Sequence, residues 1–252
     1  MREGSAGLGC GVRISIIVPA FNEERLLGAT LEAIRRAAVA FERRGWEWEL
    51  IVCDNRSTDR TAEIARECGA RVVFEGINQI SRARNAGAAA ADGDWLVFVD
   101  ADSEPTEELM EEVAERMAGG RVLAGGVTLR MEGTPLLARM VIGCWNGLSR
   151  LRRWFAGSFI FVEAEAFRRV GGFSVEWFAA EEIEFCGRLQ GEARRLGRTV
   201  EILHRHPLAT SARKVELYRP WEMVRMLGRA VFSGGKSLRR RETTELWYDG
   251  RR

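Results

Sequence analysis

Trp95-Leu-Val-Phe-Val-Asp-Ala-Asp-Ser103 is the stretch that decides the fold class. Leu96 to Val99 is an apolar run, bounded by Gly93-Asp94 on one side and by acids on the other. A strand buried on both faces of a parallel sheet reads this way, because none of its side chains is left for solvent. The run breaks into Asp100-Ala101-Asp102. Two carboxylates one residue apart, at the carboxyl end of a central strand, face the crevice in which open α/β sheets bind ligands. Alone, the pattern fits a solvated acidic turn before a helix equally well, so the neighbouring segments have to decide.

Upstream, Ile14 to Val18 is a β-branched strand that Pro19 should end, since proline cannot donate a ladder hydrogen bond. Asn22 is positioned to cap a helix from Arg25 to Arg44, with Leu27, Leu31, Ile34, Ala38 and Phe41 at helical spacing. Strands at Trp48 to Cys53 and Arg71 to Phe74 alternate with helices at Thr61 to Cys68 and Asn78 to Ala91. This β-α alternation predicts an α/β fold, a doubly wound and mostly parallel central sheet with helices on both faces. Downstream, the spacing predicts a helix over Glu107 to Met117, a strand over Val122 to Met131 and a helix starting at Thr134-Pro135. A strand at Ser158 to Val162, a short helix to Val170 and a helix over Glu181 to Leu196 follow. The last predicted elements are a strand at Thr199 to Leu203 that leads into His204 and His206, and a helix over Tyr218 to Phe232.

With 252 residues, 46% hydrophobic and 29% charged, the chain has an ordinary globular composition. Its net charge of +2 gives no bulk electrostatic case for a nucleic-acid partner. Cys10, Cys53, Cys68, Cys144 and Cys186 are scattered and lack metal-ligand spacing, which suits reduced thiols in a cytoplasm-like compartment. Met1 to Gly11 lacks the apolar core of a signal peptide, so residues 1–12 are expected to be a loose tail. No run approaches the ~18 apolar residues needed to span a bilayer.

Four segments then occur in order: Ile17-Val-Pro-Ala-Phe-Asn-Glu-Glu24, Ile51-Val-Cys-Asp-Asn-Arg-Ser-Thr-Asp-Arg-Thr61, Ala83-Arg-Asn-Ala-Gly87 and Phe98-Val-Asp-Ala-Asp-Ser103. As an ordered set they resemble glycosyltransferase family 2, the inverting enzymes of the GT-A fold. Gly171-Gly-Phe173 followed by Glu181-Glu182 is similar to the family's glycine-Phe element and its acceptor-side acidic pair. The resemblance covers about residues 13 to 210. It implies a metal-dependent inverting glycosyltransferase, with a UDP- or GDP-linked sugar donor and Mn²⁺ or Mg²⁺ as cofactor. It also implies roles. Asp54 would hold the nucleobase, and Ala20, Phe21 and Glu23 would line the nucleoside pocket. Arg84 would approach the phosphates or the base, Asp100 the ribose, and Asp102 the metal. Glu182 would be the catalytic base, one methylene longer than the family's usual Asp.

The chemistry of the residues is compatible with those roles. Two like charges ~4 Å apart repel by about 4 kcal/mol at an effective dielectric of 20. Aiming Asp102 at a diphosphate therefore requires a cation between them, and oxygen ligands suit Mg²⁺ or Mn²⁺. Arg82 and Arg84 offer planar donor forks suited to phosphate. His204 and His206, the only histidines, share one side of a strand end. They read either as structural groups or, for His206, as a further metal ligand. Trp145, Trp154, Phe159, Trp177 and Phe178 read mostly as core, with one or two free to stack on a sugar ring.

The expected organisation is one transferase domain over 13–215, with 13–104 as nucleotide-binding half and 105–215 as acceptor half. Residues 216–252 follow as an amphipathic helix and basic tail. That helix either packs on the domain or a second copy, or docks on an anionic membrane, where a lipid-linked acceptor would lie; a small-molecule acceptor is the other option. Two competing functions are a nucleotidyltransferase and a silent sugar-nucleotide-binding protein. The first would want a Gly-rich basic loop after the first strand, where this chain has acids. A dehydrogenase would want Gly-x-Gly-x-x-Gly there.

Overall fold

The computed structural model describes residues 11–130 and 136–210. Over them the chain runs β1 (Arg13–Ala20), α1 (Leu27–Glu42), β2 (Glu47–Asp54), α2 (Thr61–Glu67), β3 (Arg71–Phe74), α3 (Ile80–Ala89), β4 (Trp95–Val99) and β5 (Ser103–Glu104). It continues through α4 (Glu107–Ala118), β6 (Val122–Arg130), α5 (Leu136–Arg152), β7 (Phe159–Glu163), α6 (Ala164–Arg169), α7 (Glu181–Arg195) and β8 (Thr199–Thr210). Most of the expected loose tail over 1–12 lies outside the described residues. So do the expected helix start at Thr134-Pro135, the helix over Tyr218 to Phe232 and the tail after it.

The strands form one eight-stranded sheet in the order β3-β2-β1-β4-β7-β6-β8-β5. β1 lies parallel to β2 and β4, and β2 parallel to β3. The chain thus builds outward from β1 to β3, then returns to β4 on the other side of β1. That reversal opens a crevice beyond the carboxyl ends of β1 and β4. Past β4 the sheet is mixed: β7 runs antiparallel to β4 and β6, β6 parallel to β8, and β5 antiparallel to β8.

Period-two alternation sorts the buried strands between two cores. Ile14, Ile16, Val18, Trp95, Val97 and Val99 face one side, where Leu27, Leu31 and Ile34 of α1 and Leu109 and Val113 of α4 cover them. Ile17, Leu96, Phe98 and Ile160 face the other, under Phe167 of α6 and Phe185 and Leu189 of α7. Every apolar residue that the periodicity assigned to α1 is fully buried. The four cysteines among the described residues are free. Burial first, then the carboxylates of Glu75 and Asp54, pushes the Cys53 thiol up to about 12, so it stays neutral as a core group.

Three expectations need correction. β1 continues through Pro19 to Ala20. The Ala20 carbonyl accepts from Asn55 N–H on the β2 side, so Pro19 turns its missing donor towards β4, where the ladder has already ended at Ile17–Phe98. Asn22 does not cap α1. It sits at φ 53°, and its side-chain oxygen accepts from Thr58 N–H at 2.8 Å, joining two loops, while α1 begins at Leu27. The last described strand runs to Thr210, well past Leu203, because β6 and then β5 pair with its second half. Two-residue β5 itself is too short to leave a periodic signal.

α3 packs on β1 through Gly87, where an added Cβ would stand 2.4 Å from Ile17 Cγ2. Overpacking should outweigh the better helix propensity of alanine. Gly87→Ala is predicted to destabilise the fold by about 1–3 kcal/mol. A thermal melt should show a clear drop in midpoint; an unchanged or higher midpoint would mean the helix–strand contact is slack.

Candidate active site

The carboxyl ends of β1, β2 and β4 lie on one edge of the sheet and bring Ala20, Asp54 and Asp100 there. Phe21 and Glu23 follow in the β1–α1 loop, Phe21 half-buried and Glu23 buried. This loop is zipped to the β2–α2 loop. Ser57 Oγ accepts from Asn22 N–H at 3.0 Å, Thr61 Oγ1 from Glu23 N–H at 2.8 Å and Asp59 Oδ2 from Glu24 N–H at 3.1 Å. Asp54, almost buried, uses Oδ1 to accept Ser57 N–H at 2.9 Å, a side-chain-closed turn.

The centre of the site is Arg84. It projects from α3 and is 1% exposed. Nη1 donates to Glu181 Oε1 at 2.8 Å, and Nη2 donates to Asp100 Oδ1 at 3.1 Å and to the Gly157 carbonyl at 2.9 Å. The guanidinium carbon lies 5.1 Å from the centre of the Phe173 ring. One cation therefore ties together β4, the loop before β7 and the start of α7. Both terminal nitrogens thus donate to protein acceptors, while Nε is buried without a partner, so in this structure Arg84 faces the acids of the site.

Glu182 lies beside this cluster. An added Cβ on Gly157 would be 3.8 Å from Glu182 Oε1 and 3.1 Å from Arg84 Nη2, so Gly157 leaves room for both. Burial first, then the Glu181 carboxylate, pushes the Glu182 carboxyl up to about 8, and Arg84 opposes the rise. Of the two adjacent glutamates, Glu181 is buried and bound to Arg84, and Glu182 is half-buried.

The approach to α7 is held by amides that sequence reasoning passed over. The Asn85 side chain donates to the Phe173 carbonyl at 2.8 Å and accepts Phe173 N–H at 2.9 Å. Gly172, at φ 67°, sits so close to Asn85 Oδ1 that a Cβ would be 2.7 Å away, which accounts for the Gly-Gly-Phe sequence. Gln79 donates to the carbonyls of Val175 and Trp177, and its own N–H is accepted by Asn55 Oδ1. Asn55 and Asn85 lie within the segments that carry the family resemblance, whereas Gln79 left no signal.

Asp102 sits half-buried in the turn closed by Ser103 N–H to the Asp100 carbonyl at 3.1 Å. β5–β8 pairing sets Ser103 opposite Thr210, and His206 falls in the irregular stretch of β8 between Leu203 and Leu208, where the register against β6 shifts. Glu108 at the start of α4 lies within its electrostatic reach. His204 is exposed. Among the described residues, no group of three or more His, Cys, Asp and Glu is placed to hold a metal ion.

The family model for glycosyl transferase family 2 matches residues 15–171. The chain belongs to this family. It is similar to a validoxylamine A glucosyltransferase from Streptomyces hygroscopicus subsp. jinggangensis, 28% identical over 174 residues that make up 66% of this chain and 36% of that protein. It is also similar to a 4,4'-diaponeurosporenoate glycosyltransferase from Staphylococcus haemolyticus, 39% identical over 102 residues, or 38% of this chain and 25% of that one. Across the curated relatives compared, the chain spans 19% to 36% of their length. Among solved structures, a mannosyltransferase from Pyrobaculum calidifontis in complex with GDP-Man and Mn²⁺ superposes with a TM-score of 0.66 at 21% identity, covering 86% of this chain and 60% of that one. Glucosyl-3-phosphoglycerate synthase from Mycobacterium tuberculosis, in complex with Mn²⁺, UDP and phosphoglyceric acid, gives 0.59 at 22% identity, covering 88% and 76%. The fold is thus GT-A-like. The family match ends ahead of α7 and does not reach Glu182.

The raised Glu182 carboxyl makes a stability prediction. The folded protein keeps this group protonated up to about 8, whereas the unfolded chain ionises it near 4.5. Folding therefore loses stability as pH rises from 4.5, and the full penalty is present above about 8. Glu182→Gln removes that penalty, on the order of a few kcal/mol. Its melting midpoint should exceed the wild type's at pH ~9, and the gain should vanish by pH ~4.5. A gain that does not vary with pH would place its origin elsewhere.

Proposed function

We propose that the chain is a metal-dependent inverting glycosyltransferase, moving a sugar from a UDP- or GDP-sugar to an acceptor hydroxyl. The observation that carries the reading is the arrangement of Asp100, Glu181 and Glu182 around buried Arg84, at the carboxyl edge of β1, β2 and β4 in a family 2 chain. In this reading Asp54 holds the base, with Ala20, Phe21 and Glu23 lining the nucleoside pocket and Asp100 reaching the ribose. Arg84 is a positioning residue: it fixes Asp100 and Glu181, and so the start of the helix that carries Glu182.

Glu182 is the base. It removes the proton from the acceptor oxygen as that oxygen attacks the anomeric carbon, opposite the departing diphosphate. The elevated carboxyl suits the task, because a base works best when its pKa lies near the working pH. Trp177 and Phe178, half-buried in the loop that leads to α7, supply aromatic surface on the acceptor side.

Asp102 is the protein ligand for the cation. A hard divalent ion is commonly held by one or two carboxylates and otherwise by phosphate oxygens and water. Held there, it would supply positive charge to offset that developing on the leaving nucleoside diphosphate. His206, in the irregular stretch of β8, is the proposed further ligand. Residues 13–104 and 105–215 serve as nucleotide and acceptor halves of one domain.

Two measurements on one preparation test this. Glu182→Gln should lower transfer by at least a hundredfold, while UDP or GDP with Mn²⁺ still raises the melting midpoint as in wild type. Excess EDTA should abolish transfer, and Mn²⁺ or Mg²⁺ should restore it. Near-wild-type turnover by the variant would clear Glu182, and full turnover in EDTA would remove the metal.

A further inference from the structure

Helix α5 is packed the wrong way round for a water-facing helix. Its inward face carries Ile142, Trp145 and Asn146, all half-buried, and buried Ser149; Asn146 clasps Leu129 of β6 by donating to its carbonyl at 2.9 Å and accepting its N–H at 3.0 Å. Its outward face is the more apolar one. Met140 and Val141 are each 60% exposed, Leu148 is 40% and Leu151 78% exposed. At 100° per residue Met140, Cys144, Leu148 and Leu151 form one stripe. Gly147 lies within that stripe and Gly143 at its edge; a Cβ added at either meets nothing within 4 Å. Exposed apolar side chains aligned in this way mark a binding surface.

Charge decides what covers it. Arg139 and Arg150 flank the stripe on one side and Arg152 on the other, and all three are exposed. No Asp or Glu occurs between Glu132 and Glu163. At its C-terminal end α5 meets a hollow of about 230 Å³ lined by Arg153, Arg194 and Arg198, which extends the basic surface. A second copy of the chain would set these arginines against themselves. The chain's own residues 211–252 also carry more Lys and Arg than Asp and Glu. An anionic lipid surface complements both features: it takes the apolar stripe at the level of the acyl boundary and the arginines among the headgroups.

We infer that α5 is an interfacial helix that docks the protein on an anionic bilayer. No helix among the described residues is long and apolar enough to cross a membrane, so the contact is one of lying on the surface. Five residues after α5 the chain reaches Gly157, whose carbonyl binds Arg84 and whose Cα faces Glu182. Docking through α5 would hold the site next to the lipid surface. That last consequence rests on the transferase reading; the docking does not.

Flotation of the full chain with vesicles tests the docking without any donor or acceptor. Wild type should float with phosphatidylcholine vesicles containing ~30% phosphatidylglycerol, stay in solution with pure phosphatidylcholine, and lose binding steeply with added salt. Leu148→Glu with Leu151→Glu, and separately Arg139→Glu with Arg150→Glu, should cut the bound fraction at least tenfold at an unchanged melting midpoint. These side chains are exposed, so the variants should fold. Flotation equal to wild type in both variants, or no flotation of wild type, overturns the inference. So does loss of flotation only on reversing Arg239, Arg240 and Arg241. A dimer in light scattering that Leu151→Glu dissociates would assign the stripe to a second copy instead.

Discussion

A buried guanidinium bridging three separate segments is the constraint on which the site depends. Taking a charge out of water costs several kcal/mol unless partners replace the solvent. Arg84 finds them in Asp100, Glu181 and the Gly157 carbonyl, with the Phe173 ring beneath. Each partner comes from a different part of the chain: the end of β4, the start of α7 and the loop before β7. A lysine would supply one point charge and could not span the same three acceptors, so the planar fork is what the geometry requires. Once Glu181 is committed to Arg84, Glu182 is left facing two further carboxylates with one cation between them. Burial first, and then the Glu181 carboxylate, raises its proton affinity, so the site carries an acid whose ionised form is destabilised.

The fold was legible where local pattern and global need agree. Ile14 to Val18, Trp48 to Cys53 and Leu96 to Val99 are mostly apolar runs, interrupted only by Ser15 and Glu49, because both faces of these strands are covered. α1 announced itself by spacing. What stayed hidden depends on partners distant in sequence. Pro19 ends no strand because its empty side faces a ladder that has already stopped. β8 outlasts its apolar part because β5, more than a hundred residues earlier, pairs with its end. The antiparallel insertion of β7 between β4 and β6 leaves no mark in β-α alternation.

The site divides in the same manner. Residue types at strand ends pointed to Asp54, Asp100 and Asp102, and the family resemblance pointed to the Glu181-Glu182 pair at the start of a helix. The wiring was not readable. Asn55, Gln79 and Asn85 hold the loops through side-chain to backbone bonds, and such bonds place no periodic demand on sequence. Arg84 was found, but its direction was not: a fork that suits phosphate suits a carboxylate equally well. His206 falls in the irregular stretch of β8 between Leu203 and Leu208, and such a register shift is not encoded locally in a single sequence.

The central claim is that burial and the neighbouring Glu181 carboxylate, against the pull of Arg84, leave Glu182 as the group that holds a proton near neutrality. Carboxyl ¹³C chemical shifts of labelled glutamates, with the Glu182 signal assigned through its glutamine variant, read that proton directly. The account predicts a Glu182 titration midpoint near 8 in the free protein. A midpoint in the ordinary glutamate range near 4.5 would contradict it.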